Sequence, residues 1–496
     1  MAIAPEIKNL IISDELKISA KNAVECRINI SEEEASNVVW VSGKAVLNFT
    51  ECHQNEVVYG GKVTFNAITD LGGLKKCEAG VEFSYKTIVD GVCDLDLLVA
   101  EVLVENVKIS MQNGLPTVTA AIVLTGSVKK QSQIKYVKCI EGAYCKNAET
   151  KNLVLVQSDT KTFNLEDEFD LDFSVQEVLW HDEKIKVKTV KSEISTVSIE
   201  GEVELSALLL GVDDKKPTFE KRTIPFSLEQ EVSKAMPDLI ATTSPLIKSA
   251  NLKVVVDKVK EKSVVSVQVE ICFFTEIYEN ESVTYLCDAY SSKNYLEFEK
   301  CEKKTVFIDE QNLFEENVAF KSCVKKQKNS RLICPLFAKI EQSQFEMQIQ
   351  TVNGMLEITA LFSGESGYFV DSTLLPFTVK VDNVSNDIKL NGVNAINLSA
   401  TETDEEISYS ATICGIMIKR TANSVLFVEK VEEGKEIVCN DNAISVYVPN
   451  KNDTLWDLSK ALGVSEEDIL KINPELNFPL SGEERVVVYR EINKVI

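Results

Sequence analysis

The sequence predicts a mainly β protein: three tandem antiparallel β units followed by a small α+β tail of β-α-α-β order. Three observations lead there. Nearly every segment upstream of the tail alternates apolar and polar residues at period two, the period of a strand with one buried face. One pattern recurs along the chain, with Trp40 and Gly61 separated by 21 positions, Trp180 and Gly201 by the same 21, and Cys334 and Gly354 by 20. The last fifty or so residues then switch to helical spacing behind capping residues.

The first unit spans 1–148. Trp40 precedes Lys44-Ala45-Val46-Leu47, then Val57 to Val63 through Gly60-Gly61, then Val81-Glu82-Phe83-Ser84. The second, 149–298, repeats this as Trp180, Lys184-Ile185-Lys186-Val187, Val197 to Val203 through Gly201, and Ile224-Pro225-Phe226-Ser227. The third, 299–432, has Cys334-Pro335-Leu336-Phe337, Val352-Asn353-Gly354-Met355-Leu356 and Leu375-Pro376-Phe377-Thr378. Each phenylalanine lies 22 to 25 residues past its glycine. Glycine recurring inside a strand predicts a bulge or a close backbone approach, and the recurring Phe predicts a ring buried from the sheet. Each unit closes on a hairpin-like pair: Ala100–Val104 with Val118–Leu124, Lys253–Val256 with Val264–Phe274, and Ile388–Leu390 with Ile407–Ile418.

The tail, 440–492, reads as strand Val446 to Val448, helix from Leu455, helix from Glu466, and strand Val486 to Val488. Thr454 with Asp457, and Ser465 with Asp468, are capping pairs, and Gly463 suits the left-handed end of the first helix. Leu455, Leu458 and Leu462 share one helical face and predict a buried stripe. In this order and with these caps the tail resembles a LysM domain, a small module known for binding peptidoglycan and chitin. That resemblance implies a shallow groove walled by Asn452, Asp453, Thr454 and Leu455 on one side and Asn473, Pro474, Glu475, Leu476, Asn477 and Phe478 on the other. Asn452 stands where LysM sequences mostly carry glycine. Asparagine tolerates positive φ, so the turn survives while a side chain is added at the groove. Trp456 reads as core or half-core packing rather than a sugar platform.

Composition excludes several classes. The 496 residues carry 77 acidic and 53 basic side chains, a net charge of −24, which repels nucleic acid and anionic membranes. No apolar run reaches the ~20 residues of a membrane helix. Met1-Ala2-Ile3-Ala4-Pro5-Glu6 lacks the basic and apolar regions of a secretory signal, so a cytoplasmic protein is expected. The thirteen cysteines are scattered without metal-ligand spacing and are expected to be free thiols. Catalytic groups are scarce. His53 and His181 are the only histidines, and Cys52 beside His53 on a strand points to the opposite face. No enzyme, cofactor or metal is expected. The acidic run Glu166 to Asp172 reads as a solvated strand face.

The repeated units, of the kind Val197 to Leu205 with Ile224-Pro225-Phe226, followed by a LysM-like tail, resemble the SPOCS-domain spore-coat assembly proteins of clostridial-type spore formers. The resemblance covers nearly the whole chain and is weakest in the first unit, which lacks the proline before Phe83. It implies a non-enzymatic scaffold or adaptor in assembly of the spore coat and cortex, in the mother-cell cytoplasm at the surface of the developing spore. The implied partner is the spore-coat morphogenetic ATPase or another coat protein, docked partly through the tail. The competing reading is a cell-wall protein that binds N-acetylglucosamine glycan through the tail and uses the β units as spacers.

Overall fold

A computed structural model describes residues 3–94, 96–213, 215–257, 262–325, 330–346, 350–365, 367–380, 387–403, 406–437 and 444–489. The expected tail domain therefore begins and ends, at 440–443 and 490–492, outside the described residues. The protein is mainly β, with a short helix-and-strand tail.

Three six-strand sets follow one another. The first holds β1 (Ala4–Arg27), β2 (Val38–His53), β3 (Glu56–Asp70), β4 (Leu74–Ile88), β5 (Leu97–Gln112) and β6 (Leu115–Glu141), with a one-turn helix α1 (Glu32–Ser36) after β1. The second holds β7 (Tyr144–Asp170), β8 (Val175–Glu193), β9 (Thr196–Gly211), β10 (Pro217–Glu231), β11 (Ile240–Asp257) and β12 (Lys262–Tyr290). The third holds β13 (Asn294–Lys325), β14 (Arg331–Glu346), β15 (Thr351–Gly364), β16 (Gly367–Lys380), β17 (Asp387–Glu402) and β18 (Glu406–Glu436). In each set the second, third and fourth strands form an antiparallel meander. The first, sixth and fifth form another three-stranded sheet, so the set's first strand pairs with its last. The junctions expected at 148 and 298 fall a few residues inside β7 and β13. Helix α1, which the sequence reading did not foresee, starts at a Ser31–Glu34 capping box.

The repeated glycine and phenylalanine meet. Gly61 lies opposite Phe83, Gly201 opposite Phe226, and Gly354 opposite Phe377 in adjacent strands. On its other side, Gly61 sits against Leu47 and Gly201 against Val187, each beside a register shift in the neighbouring strand. A Cβ on Gly201 would lie 2.4 Å from the Lys186 carbonyl oxygen and 2.5 Å from the Phe226 ring. On Gly61 it would lie 1.9 Å from the Val46 carbonyl oxygen. The bulge thus brings two backbones too close for any side chain.

The three sets also pack on one another. Trp40 of β2, Trp180 of β8 and Phe337 of β14 form a three-way aromatic cluster, with ring centroids 5.3, 5.9 and 5.8 Å apart. Each such pair adds ~0.5–1.5 kcal/mol beyond the area it buries. The far ends of the long strands repeat the arrangement with Tyr136 of β6, Tyr285 of β12 and Phe427 of β18, where Phe427 meets the two tyrosines at 5.5 and 5.1 Å. Val137, Ile140, Leu286, Ala289 and Val428 continue that apolar contact toward the strand tips.

Polar bonds pin the sets in register. Lys44 of the first set pairs with buried Glu183 of the second, which also meets His181. Burial pushes the Glu183 carboxyl up, but Lys44 and His181 outweigh it and bring the value to about 2. Lys184 donates to the carbonyls of Ala338 and Ala395 in the third set. Lys389 of the third set pairs with Glu15 of the first at 2.7 Å. Removing one partner of a pair as buried as Glu183 would leave an uncompensated charge.

Candidate functional site

The tail is built from local signals. Its strands β19 (Ile444–Tyr447) and β20 (Val486–Tyr489) pair antiparallel, and helices α2 (Leu455–Leu462) and α3 (Glu466–Ile472) cover one side. Thr454 Oγ1 accepts from Asp457 N at 3.2 Å, and Asp457 accepts in return from Thr454 N at 3.0 Å. The Thr454 hydroxyl and backbone amide hold the Asp457 carboxyl below its ordinary range. Ser465 caps α3 by accepting from Asp468 N at 3.1 Å, and Gly463 ends α2 at φ 64°. Leu458, Leu462, Ile469, Leu480, Val486 and Val488 close a small core, with Tyr447, Leu455, Val464, Leu476 and Phe478 packed around it.

The first expected wall is tied to Leu480, two residues beyond the second. Asn452 N donates to Leu480 O at 2.8 Å and Leu480 N to Asp453 O at 3.0 Å, which ties the loop before α2 to the loop before β20. Asn452 adopts φ 72° and leaves its side chain exposed. Thr454, Pro474, Glu475 and Asn477 are exposed, and Asp453 is half-buried with its carboxylate accepting from Asn450 N at 2.8 Å. Three expected wall residues face elsewhere: Leu455, Leu476 and Phe478 pack on the tail's own core.

Asn473 departs furthest from the expectation. It is 1 % exposed and its amide is spent internally. Nδ2 donates to Ile469 O at 3.0 Å and Val487 O at 2.9 Å, while Oδ1 accepts from Val487 N at 2.7 Å. A buried side chain with both donors and one acceptor position used inside the tail is not presented to a ligand. A shallow depression lined by Asp468, Lys471, Ile472, Val487 and Tyr489 lies apart and shares none of the wall residues.

The tail rests on the second set. Trp456 Nε1 donates to Asp288 Oδ2 at 2.8 Å, and Lys460 Nζ donates to the same carboxylate at 2.6 and 2.8 Å. The Tyr290 hydroxyl donates to Val464 O at 2.8 Å, and its ring meets Trp456 edge-on at 5.1 Å. Tyr144 stacks on Tyr290 at 4.8 Å, and Lys146 lies over the Trp456 ring at 5.8 Å. Core or half-core packing is the expectation for Trp456, and the residue is half-buried. The structure adds its partner, Asp288, which no local pattern in the sequence singles out.

Elsewhere, His53 meets Glu51 at 3.4 Å on an exposed strand end. The described cysteines are free, and burial pushes the Cys334 and Cys414 thiols up to about 12. Among the described residues no three His, Cys, Asp or Glu side chains gather where they could hold a metal, and no helix is long and apolar enough to cross a membrane.

Comparison with known proteins agrees with the tail's geometry. The LysM domain family model matches residues 450–480. No curated protein and no solved structure matches the chain. Capped helices, paired strands and tied loops all fall in or beside the matched segment, and residues 450–480 form a LysM domain.

Proposed function

We propose that the chain is a non-enzymatic adaptor in which a three-set β body carries a LysM domain whose groove takes N-acetylglucosamine glycan of the peptidoglycan or chitin type. The observation that carries this reading is the LysM match, together with wall residues Asn452, Thr454, Pro474, Glu475 and Asn477 that remain exposed while α2 is docked. A shallow groove with exposed amides and a carboxylate suits the polar edge of a sugar chain, and its modest burial predicts weak binding of a single site. The test is retention of the full chain on purified peptidoglycan sacculi. Retention should fall when chitooligosaccharide is added and when Glu475 and Asn477 are replaced by alanine. Retention insensitive to both would remove the glycan reading.

A second reading is a scaffold of spore-coat assembly that works in the mother-cell cytoplasm and meets the coat morphogenetic ATPase or another coat protein. It is favoured by the resemblance of the repeated β units to SPOCS-domain proteins. The two readings separate on one comparison. Without residues 445–489, the scaffold reading expects loss of localisation to the developing spore, with binding to the recombinant ATPase impaired and no competition by sugar.

A further inference from the structure

One carboxylate gathers most of the polar bonds between the tail and the β body. Asp288 takes the indole N–H of Trp456 and the ammonium of Lys460, and Tyr290 adds its ring and its hydroxyl. The side chains of Lys460 and Asp288 keep 44 % and 26 % of their surface exposed, so water reaches the pair. The tail's buried apolar residues form a cluster of their own that does not run into the body. Among the described residues the tail thus meets the body through polar and ring contacts, without a shared apolar cluster.

The site is particular to β12. Where Leu286 and Ala289 meet Val137 and Ile140 of β6 and Val428 and Val431 of β18, the positions matching Asp288 and Tyr290 are Cys139 and Glu141, or Lys430 and Glu432. Neither pair offers a carboxylate followed by a ring. The docked strand is also a template of what the α2 face accepts. It presents a carboxylate to the indole N–H and the ammonium, and an aromatic ring two residues later to the indole edge.

We propose that Asp288 is a release latch: the docked tail is a closed state, and opening it frees the α2 face, Trp456 with Lys460, for an acidic partner segment that carries an aromatic residue two positions beyond its carboxylate. This face is distinct from the groove between the loops at Asn452 and Glu475, so the proposal stands apart from glycan binding. A partner of this chemistry competes with the chain's own Asp288 and Tyr290. Its apparent affinity is therefore the intrinsic affinity multiplied by the fraction of open protein.

The test uses the full chain and a labelled peptide of the sequence 284–292 with serine at position 287, followed by anisotropy. The Asp288→Ala protein should bind this peptide at least ~10-fold more tightly than the unmodified chain, because the competing intramolecular carboxylate is gone. Adding Lys460→Glu should abolish the binding. Equal affinity for both proteins, or no saturable binding to Asp288→Ala, would overturn the proposal. A second readout needs no ligand: acrylamide quenching of tryptophan fluorescence should increase in Asp288→Ala, with the melting of the β body unchanged. Unchanged quenching would show that Asp288 does not hold the tail closed.

Discussion

Gly201 and Phe226 face each other across the β9–β10 ladder, with the phenyl ring filling the space that a Gly201 side chain would occupy. A Cβ there meets the Lys186 carbonyl oxygen at 2.4 Å as well as the ring at 2.5 Å. Backbone on one side and a buried ring on the other leave no room to yield. Gly201→Ala is expected to cost ~1–3 kcal/mol, the range of overpacking in a well-packed core. Gly364→Ala, whose nearest neighbour would be the edge of Phe369 at 3.3 Å, is the matched control and should stay close to the parent in thermal melting.

The Trp40, Trp180 and Phe337 cluster joins strands from all three sets, so the sets should not melt as independent beads. Trp180→Ala, at the buried member of the cluster, removes two of the cluster's three contacts and is expected to cost ~3–5 kcal/mol, the range for loss of a large core aromatic. Calorimetry of the parent should show the β body in one transition. Three resolved transitions would mean that the cluster couples nothing.

These features differ in how plainly the sequence announced them. The glycine and phenylalanine recur at matched spacing because all three sets place the ring opposite the glycine and the first two share a bulge beside it, so repetition made them visible before any pairing was known. The capping pairs Thr454–Asp457 and Ser465–Asp468 were equally visible, since a cap is a bond between residues three apart. The aromatic cluster was not. Its members lie in three different strands, and their approach depends on how whole sheets pack. Asp288 stayed hidden for the same reason, as its partners Trp456 and Lys460 lie 168 and 172 positions away. Among the wall residues, spacing alone could not tell exposed Asn477 from Asn473, whose amide is drawn inward by Val487.

Docking of the tail should depend on pH through Asp288. Burial pushes this carboxyl up, but bonds from Lys460 and Trp456 outweigh it and hold it below the usual aspartate value of 3.8. A carboxyl depressed in the docked state stabilises docking fully above its undocked pKa, and that contribution is lost as pH falls through the docked value. Tryptophan quenching should therefore be flat from neutral pH down to about 4 and rise below it. In Asp288→Asn that step should vanish.

Thr454→Ala removes the hydroxyl that accepts from Asp457 N at the start of α2. Loss of such a cap costs about 1 kcal/mol. In a domain this small that is a large share of stability, so exchange of amides in α2 and α3 should quicken while the β body is unaffected. Thr454→Ser keeps the acceptor and should restore slow exchange.

Asn473 and Asn477 should separate structure from binding. Asn473 donates to Val487 O and accepts from Val487 N, so its side chain takes the place of a neighbouring strand along β20. In Asn473→Ala those buried backbone groups lose their partner, at a cost of ~1–3 kcal/mol for each group left unsatisfied. The variant should unfold the tail more easily, and any loss of glycan retention should follow that unfolding with temperature. Asn477 is exposed, and its amide donates to the nearby Glu475 carbonyl at 3.3 Å. Asn477→Ala should leave the stability of the tail within ~0.5 kcal/mol of the parent while lowering retention on sacculi at every temperature. If instead Asn477→Ala is silent and Asn473→Ala lowers retention with the tail still folded, the contacts that hold sugar lie deeper than the exposed wall.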